Sequence, residues 1–512
     1  MTTNWINKKL KGKEFFGHPS GLFVLFMAEM WERMSYYGMR ALLTLYMIKY
    51  LMADPERMAR VLGFDTLKFI LETGFGPLAI QPFASQIYGL YTGFVYLSPY
   101  FGGILADRVW GRRKSVYIGA ALMALGHFLM AFENLFIPAL FFLILGNGAF
   151  KPNISTQVGA LYPEGDNRRD GAFTIFYMGI NLGAFFSPFL SKNLALAICD
   201  WLGITDPGVP WHIGFALAGI GMLFGLFVYH IGRTLLPAEN LTTLAPVKER
   251  NSIIFKTVGG FLGAMTVFIL ILMIPMTFKL ILIAGAVALV VWSIKQISDE
   301  LDRKKVAALI ILCMGTVFVW AIFEQQGNTL QIWADEKANW AQLGLQPENY
   351  QSLNPLFIFI FAPLLDVWWN FWAAKGKRRS SVNKMAIGCF LIGFAFLTIP
   401  LASSFITVEK SMINLFWLAL ATFIVTLGEL YLSPIGLSFV TKLAPARFMS
   451  MMMGMWLASS FLGNYLAGIL GMLYSKMSQN SFFLVFAILG ISVGVFFLIA
   501  DTKLKHIVGK EV

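Results

Sequence analysis

Apolar stretches, each about as long as a helix needs to cross a bilayer, recur along the chain with short polar interruptions. Windows of about 20 apolar residues predict helices over 21–50, 84–106, 115–132, 136–161, 171–198, 212–232, 253–274, 277–297, 306–331, 355–373, 384–404, 412–440, 449–474 and 481–500. Fourteen such spans predict an all-α polytopic membrane protein. The segment from Ala53 to Phe83 breaks the pattern, because Pro55, Pro77 and Pro82 interrupt it and runs such as Phe69-Ile70-Leu71 are too short to span. It is predicted to be an extracytoplasmic excursion.

The interruptions alternate in character. Lys8 to Lys13, Arg108/Arg112/Arg113/Lys114, Arg168/Arg169, Lys248/Arg250, Arg303/Lys304/Lys305, Lys375 to Arg379, Lys442/Arg447 and Lys503/Lys505 fall on one side if there are fourteen spans. The opposite loops are acidic or mixed, as in Asp335-Glu336-Lys337 and Glu409-Lys410. The positive-inside rule then predicts that both termini are cytoplasmic. The lysine-rich N-terminus carries no small-residue cleavage site, so no removable signal peptide is expected.

Composition agrees with the pattern. The 512 residues are 57% hydrophobic and 13% charged, against about 25% charged in a soluble domain, which excludes a water-soluble globule. The net charge of +12 sits in short loops and reports orientation, not nucleic-acid binding. Cys199, Cys313 and Cys389 lie far apart in or beside apolar spans and read as packing residues. The five histidines are scattered, so no metal chemistry is expected, and His127 reads as a satisfied helix residue.

The first predicted helix is the exception to apolarity. At 100° per residue, Glu29, Glu32, Arg33, Tyr36, Tyr37 and Arg40 share one face, surrounded by Phe23, Phe26, Met27, Leu42 and Leu45. Each charge at a helix centre costs roughly 3 kcal/mol even on the lenient insertion scale, so four together cost on the order of 10 kcal/mol unless they pair or face water. An ion-pair lock between helices is the bland reading, and it leaves Tyr36, Tyr37 and the second arginine unexplained. Lys151, Glu324 and Glu429 likewise sit well inside apolar spans, beyond easy snorkelling.

Two weak internal echoes predict a repeat. Gly102 to Lys114, with Asp107 at its centre, has a degenerate partner in Pro363-Leu364-Leu365-Asp366 followed by Lys377-Arg378-Arg379. Gly146-Asn147 to Lys151-Pro152 matches Gly428-Glu429 to Ser433-Pro434 in spacing. Together they predict two parallel six-helix bundles with the seventh and eighth spans inserted between them. The expected organisation is a cytoplasmic tail over 1–20, an N-terminal bundle over 21–232, a linker with two additional helices over 233–305, a C-terminal bundle over 306–500 and a cytoplasmic tail over 501–512.

Gly102-Gly103-Ile-Leu-Ala106-Asp107-Arg108-Val-Trp-Gly111-Arg112-Arg113-Lys114 resembles the cytoplasmic loop signature of the major facilitator superfamily, with one extra residue between Asp107 and Gly111. Its glycines permit close helix contact, and Asp107 with Arg108 is placed at a cytoplasmic gate. Glu29-x-x-Glu32-Arg33-x-x-Tyr36-Tyr37-Gly38, Phe176 to Gly183, Phe323-Glu324-Gln-Gln-Gly327 and Lys151-Pro-Asn-Ile-Ser155 resemble the proton-dependent oligopeptide transporters, bacterial type with two extra helices, over essentially the whole chain.

That resemblance implies a proton-coupled symporter importing dipeptides and tripeptides across a bacterial inner membrane by alternating access, working as a monomer in the lipid bilayer. It implies that Glu29, Glu32, Arg33 and Glu324 couple protons, Glu324 through a pairing with Arg40. Arg40 and Lys151 would receive the peptide carboxylate, and Asn181, Asn354 and Glu429 would hold the amino terminus. Tyr36, Tyr37, Tyr96, Trp456 and Ser460 would complete the substrate pocket. No cofactor beyond the coupling proton is implied. The second span carries no histidine, so the histidine-dependent step of animal relatives is absent.

Elementary chemistry is consistent with this cargo. Cations in the N-terminal half and carboxylates in the C-terminal half suit a zwitterion, whose two charged ends each need a partner on desolvation. A carrier of nitrate, an amino-acid derivative or a peptide-like drug is the nearest alternative. No Gly-x-x-x-x-Gly-Lys-Ser/Thr loop is present for a nucleotide-driven pump. A membrane-embedded enzyme is the remote alternative, with no His-Glu-x-x-His and no nucleophile–base set to support it.

Overall fold

A computed structural model describes residues 12–508 except 164, 240, 243, 377–378, 406–411, 433–435, 437–439, 441–442 and 446–447. Outside the described residues lie positions 8–11 of the N-terminal basic run, Lys377, Arg378, Glu409, Lys410, Lys442 and Arg447. Ser433, Pro434 and Ser438 of the second repeat lie outside them too.

The chain is helical almost throughout, as it must be where no water is available to satisfy the backbone. A short hairpin, β1 (Glu14–Phe15) and β2 (His18–Pro19), leads into α1 (Ser20–Tyr46). The excursion forms two short helices, α2 (Pro55–Arg60) and α3 (Phe64–Phe75). Asp54 caps α2 by accepting from the Glu56 amide at 2.9 Å, with Pro55 in the first turn. Then follow α4 (Ile80–Leu105), α5 (Arg112–Leu129), α6 (Phe136–Ala160), α7 (Arg168–Pro188), α8 (Leu194–Leu202) and α9 (Val209–Gly232). The inserted pair is α10 (Val247–Met273) and α11 (Met276–Lys295), and α12 (Glu300–Phe323), α13 (Thr329–Lys337), α14 (Leu353–Ala374), α15 (Ser381–Ser403), α16 (Leu415–Leu430), α17 (Met449–Gly471) and α18 (Gln479–Val508) complete the chain.

Each predicted span contains a helix among the described residues. Among the described residues, nine helical stretches are long and apolar enough to cross a membrane by length and composition. The other five predicted spans, at α1, α4, α5, α16 and α17, fall outside those nine; α1 carries four charges on one face and α16 is shorter than the rest. Several spans are not the uninterrupted helices the apolar windows predict: the first widens into a π turn at Met47–Leu51, and the twelfth leaves its helix at Leu430. The fifth widens into a π turn at Phe189–Asn193 between α7 and α8. The ninth breaks into a 3-10 turn at Glu324–Gly327 between α12 and α13. Hydropathy cannot foresee such breaks, because a local change of helical register leaves the apolar content unaltered.

The helices fall into two compact units. The first comprises residues 1–66, 94–267 and 348–356; the second comprises 67–93, 268–347 and 357–512. In the first, α1 packs on α7 and α9, and α5 packs on α6 and α9. In the second, α15 packs on α16 and α18, and α12 on α17 and α18. The division departs from the sequence order: α4 contributes its start to the second unit and its remainder to the first.

The glycine echo acquires a geometric meaning here. Gly146 of α6 lies against Gly119 and Met123 of α5, so close that an added Cβ would sit 2.8 Å from the Gly119 carbonyl oxygen. Gly428 of α16 stands in the same relation to Gly388 of α15, at 2.7 Å. In both units, then, successive helices approach backbone to backbone at the glycine of the repeated motif.

A strap from the linker covers the signature loop. Gly111 precedes α5 with φ +79°, and an added Cβ there would lie 2.6 Å from Glu239 Oε1. That oxygen accepts from the Arg113 amide at 2.9 Å, placing an anion at the N-terminus of α5. Arg113 Nη2 donates to the carbonyls of Leu236 and Pro237, at 2.9 and 2.6 Å, and the Ala245 amide donates to the Arg108 carbonyl at 2.9 Å.

All three cysteines are buried and free. His127, expected to be satisfied, is fully buried, and neither ring nitrogen meets a hydrogen-bond partner among the described residues. Its apolar setting on α5 carries no acceptor for it.

Candidate functional site

The charged face of α1 lies inside the first unit. Glu29, Glu32 and Arg33 are all at most 3% exposed. Arg33 forms a fork with Glu32, with Nε on Oε2 and Nη2 donating to Oε1 at 2.6 Å, and its Nε lies 3.2 Å from Glu29 Oε1. One guanidinium thus answers two buried carboxylates, leaving a formal charge of −1 when both are ionised.

Two aromatic rings line the same helix beyond the cluster. Arg33 lies over the Tyr36 ring at 5.1 Å and Arg40 over the Tyr37 ring at 5.9 Å, while the two rings meet edge to face at 5.3 Å. Cation–π contacts of this kind hold a guanidinium in an apolar setting without consuming its hydrogen-bond donors.

Lys151 stands on α6 immediately before Pro152 and lies over the Tyr96 ring of α4 at 5.2 Å. Asn147, one turn earlier, donates to the Val95 carbonyl at 2.9 Å, which fixes α6 against α4 beside that ring. Lys151 is within electrostatic reach of Glu29, and Arg40, Lys151, Glu29 and Glu32 share the first unit. Asn181 donates to the carbonyl of Tyr177, one turn back on α7, at 2.9 Å. Asn354, near the start of α14, is half-buried in the same unit.

The second unit holds Glu324, Glu429, Trp456 and Ser460. Glu324 is 2% exposed at the break between α12 and α13 and accepts from the Tyr88 hydroxyl at 3.1 Å. Glu429 is half-buried as the penultimate residue of α16. Trp456 packs its ring against Gly436, and Ser460 lies one helical turn further along α17, its carbonyl accepting from Asn464 at 2.9 Å. Arg40 and Glu324 belong to different units, and their predicted pairing stays a proposal. Asp107 and Arg108 are exposed on a π turn, with Asp107 Oδ1 3.9 Å from Arg112 Nε.

Sequence reading missed one buried ion pair. Lys192 Nζ, in the π turn after α7, lies 3.3 Å from Glu348 Oε1 and 3.3 Å from the centre of the Trp211 ring. Both charged residues are buried, and Ser352 Oγ donates to the Phe185 carbonyl at 2.7 Å beside them. Lys192 was visible as a lysine inside a predicted span; Glu348, in a connecting segment, carried no local signal. Among the described residues no group of histidine, cysteine and acidic side chains could hold a metal ion.

The chain resembles known proteins over its full length. The model of the POT family matches residues 113–487. The chain is 33% identical to a di-/tripeptide transporter of Lactococcus lactis subsp. lactis (strain IL1403), over 97% of this chain and 98% of that one. It is 34% identical to the uncharacterized transporter YclF of Bacillus subtilis (strain 168), over 98% and 97% of the two chains. The crystal structure of peptide transporter POT in complex with sulfate superposes with a TM-score of 0.79 at 31% identity, covering all of both chains.

Proposed function

The chain belongs to the POT family of membrane transporters, and from that premise we propose that it imports dipeptides and tripeptides together with protons across a bacterial inner membrane. It is a transporter, not an enzyme, and its matched relatives include proteins named for di- and tripeptide transport. The observation that carries the coupled reading is the buried Glu29–Arg33–Glu32 cluster, in which one cation serves two acids.

In the proposed cycle, a proton taken up by one acid of this set, or by Glu324, weakens its hold on an arginine. Cationic side chains, Arg40 and Lys151 first among them, then meet the substrate carboxylate, for which the guanidinium fork is well shaped. Glu429, with Asn181 and Asn354, meets the ammonium end. Tyr36, Tyr37, Tyr96, Trp456 and Ser460 form a pocket that accepts many side chains, because ring contacts are only weakly directional. Proton and peptide thus favour the same state of an alternating-access cycle. Release to the cytoplasm re-forms the internal pairs, and the membrane potential contributes about 2.3 kcal/mol per charge per 100 mV. Asp107 and Arg108 act at the cytoplasmic gate, both termini face the cytoplasm, and the monomer is the working unit.

The test is uptake of labelled dialanine by the purified protein in liposomes, with an inward proton gradient imposed or collapsed and with an amino acid, a tripeptide and nitrate as competitors. Gradient-dependent uptake blocked by small peptides is expected, and Glu29→Gln or Glu32→Gln should abolish driven uptake while sparing counterflow. Uptake blocked by nitrate alone, or driven uptake unaltered in both variants, would refute the reading.

A further inference from the structure

The start of α4 belongs to the second unit, and its polar residues follow a helical spacing. Gln81, Ser85 and Tyr88 lie on one face. Gly89 on that stretch meets Gly468 of α17 so closely that an added Cβ would sit 2.8 Å from the Gly468 Cα. That contact brings the polar face of α4 onto the break between α12 and α13. Gln81 Nε2 donates to the Gly471 carbonyl at 3.0 Å and to Ser85 Oγ at 2.8 Å, and Ser85 Oγ donates to Asn328 Oδ1 at 2.9 Å. One turn deeper, the Tyr88 hydroxyl donates to Glu324 Oε2 at 3.1 Å. Tyr88, Ser85 and Asn328 are fully buried, and Glu324 is nearly so.

We propose that Tyr88 is a positioning residue for proton coupling, its hydroxyl orienting the Glu324 carboxylate and setting the pH at which that group exchanges its proton. The inference rests on the reading of Glu324 as a coupling acid. At the depth of a membrane protein's interior a carboxylate has few donors to choose from, and a hydrogen bond to an ionised group is among the stronger ones available. Removing it should change proton binding by about tenfold, which is about one pH unit. The tyrosine ring stays in place by packing, so the hydroxyl can be deleted without emptying the site.

The experiment measures driven dialanine uptake as a function of pH, alongside counterflow, for the wild-type protein, Tyr88→Phe, Ser85→Ala, Glu324→Gln and the Tyr88→Phe/Glu324→Gln double variant in liposomes. The expected result is a profile for Tyr88→Phe displaced by about one unit towards higher pH, with counterflow retained. Ser85→Ala, which cuts a neighbouring bond on the same face without touching Glu324, should leave the profile in place. In the Glu324→Gln background, where driven uptake is lost, the pH profile of counterflow should not be displaced further by Tyr88→Phe. A Tyr88→Phe profile superimposable on wild type overturns the proposal, as does an equal displacement in Ser85→Ala or in the double variant. Wild-type protein that ignores the gradient overturns the transport reading itself, and the role of Tyr88 falls with it.

Discussion

Replacing Glu348 by glutamine removes one charge from a buried pair and leaves the shape nearly unchanged. At the observed 3.3 Å separation, an effective dielectric near 20 gives an attraction of about 5 kcal/mol, most of it offset by the cost of having desolvated both ions. Deleting one partner forfeits the attraction while the other ion stays buried, which costs about 3–5 kcal/mol. The Trp211 ring still faces Lys192 Nζ, and the glutamine carbonyl can still accept from it, so the lower end, ~3 kcal/mol, is the working figure. Thermal unfolding of the purified protein in detergent reads the effect. At roughly 2–4 °C per kcal/mol for a cooperative unit of 150–250 residues, the midpoint should fall by about 6–12 °C. Lys192→Met, which strands the carboxylate instead, should fall at least as far. The double variant should be less destabilised than either single one, because it strands no charge. A Glu348→Gln midpoint within about 2 °C of wild type, or strictly additive losses, would refute the reasoning.

Three other perturbations test separate features. Glu429→Gln should weaken competition by peptides with a free amino terminus at least tenfold more than by N-blocked ones, an ammonium–carboxylate bond being worth more than about 1.4 kcal/mol; equal losses in a competition assay would count against its assigned role. Gly468→Ala would drive a methyl to 2.6 Å from the Ser85 carbonyl oxygen and should cost about 1–3 kcal/mol of stability, whereas Gly263→Ala, which meets nothing within 4 Å, should be neutral or slightly stabilising by the same melting measurement. Hydrogen bonds from Arg168 hold the Asp166 carboxyl below the usual carboxylate range. A lowered folded-state value stabilises above the ordinary carboxylate range and is lost as pH falls through the lowered value. Limited proteolysis of the 161–167 loop should therefore accelerate only under strong acid in the wild type, and Asp166→Asn should remove that dependence.

The helical spans were legible because the bilayer imposes a length and an apolarity that few other structures require. The α1 cluster was legible for the converse reason: four charges at membrane depth demand an explanation that one sequence window already poses. The ion pairs observed there all lie within α1, so they are not the lock between helices that the bland reading describes. Arg33 pairs with both acids, and Arg40 lies over the Tyr37 ring. Lys192 and Glu348 were not legible as a pair, since a contact between distant segments leaves no periodic trace in either. Tyr88 was passed over in favour of Tyr96 because an apolar window does not reveal which face of α4 meets a carboxylate.

The linker strap bears on how such a chain could be shortened. Glu239 occupies the space that any side chain at position 111 would need, and the Arg113 guanidinium is satisfied by carbonyls of Leu236 and Pro237. Leu236, Pro237, Glu239 and Ala245 are therefore part of the first unit's packing around the start of α5, whereas α10 and α11 leave many of their apolar side chains exposed. A deletion that removes the inserted pair should cut after Ala245, and one that cuts after Gly232 would strip the cap from α5 together with the helices it was meant to remove. The graft and its rootstock are joined at Gly111, where a φ of +79° already favours glycine and any added side chain would have to push the Glu239 carboxylate off the start of α5.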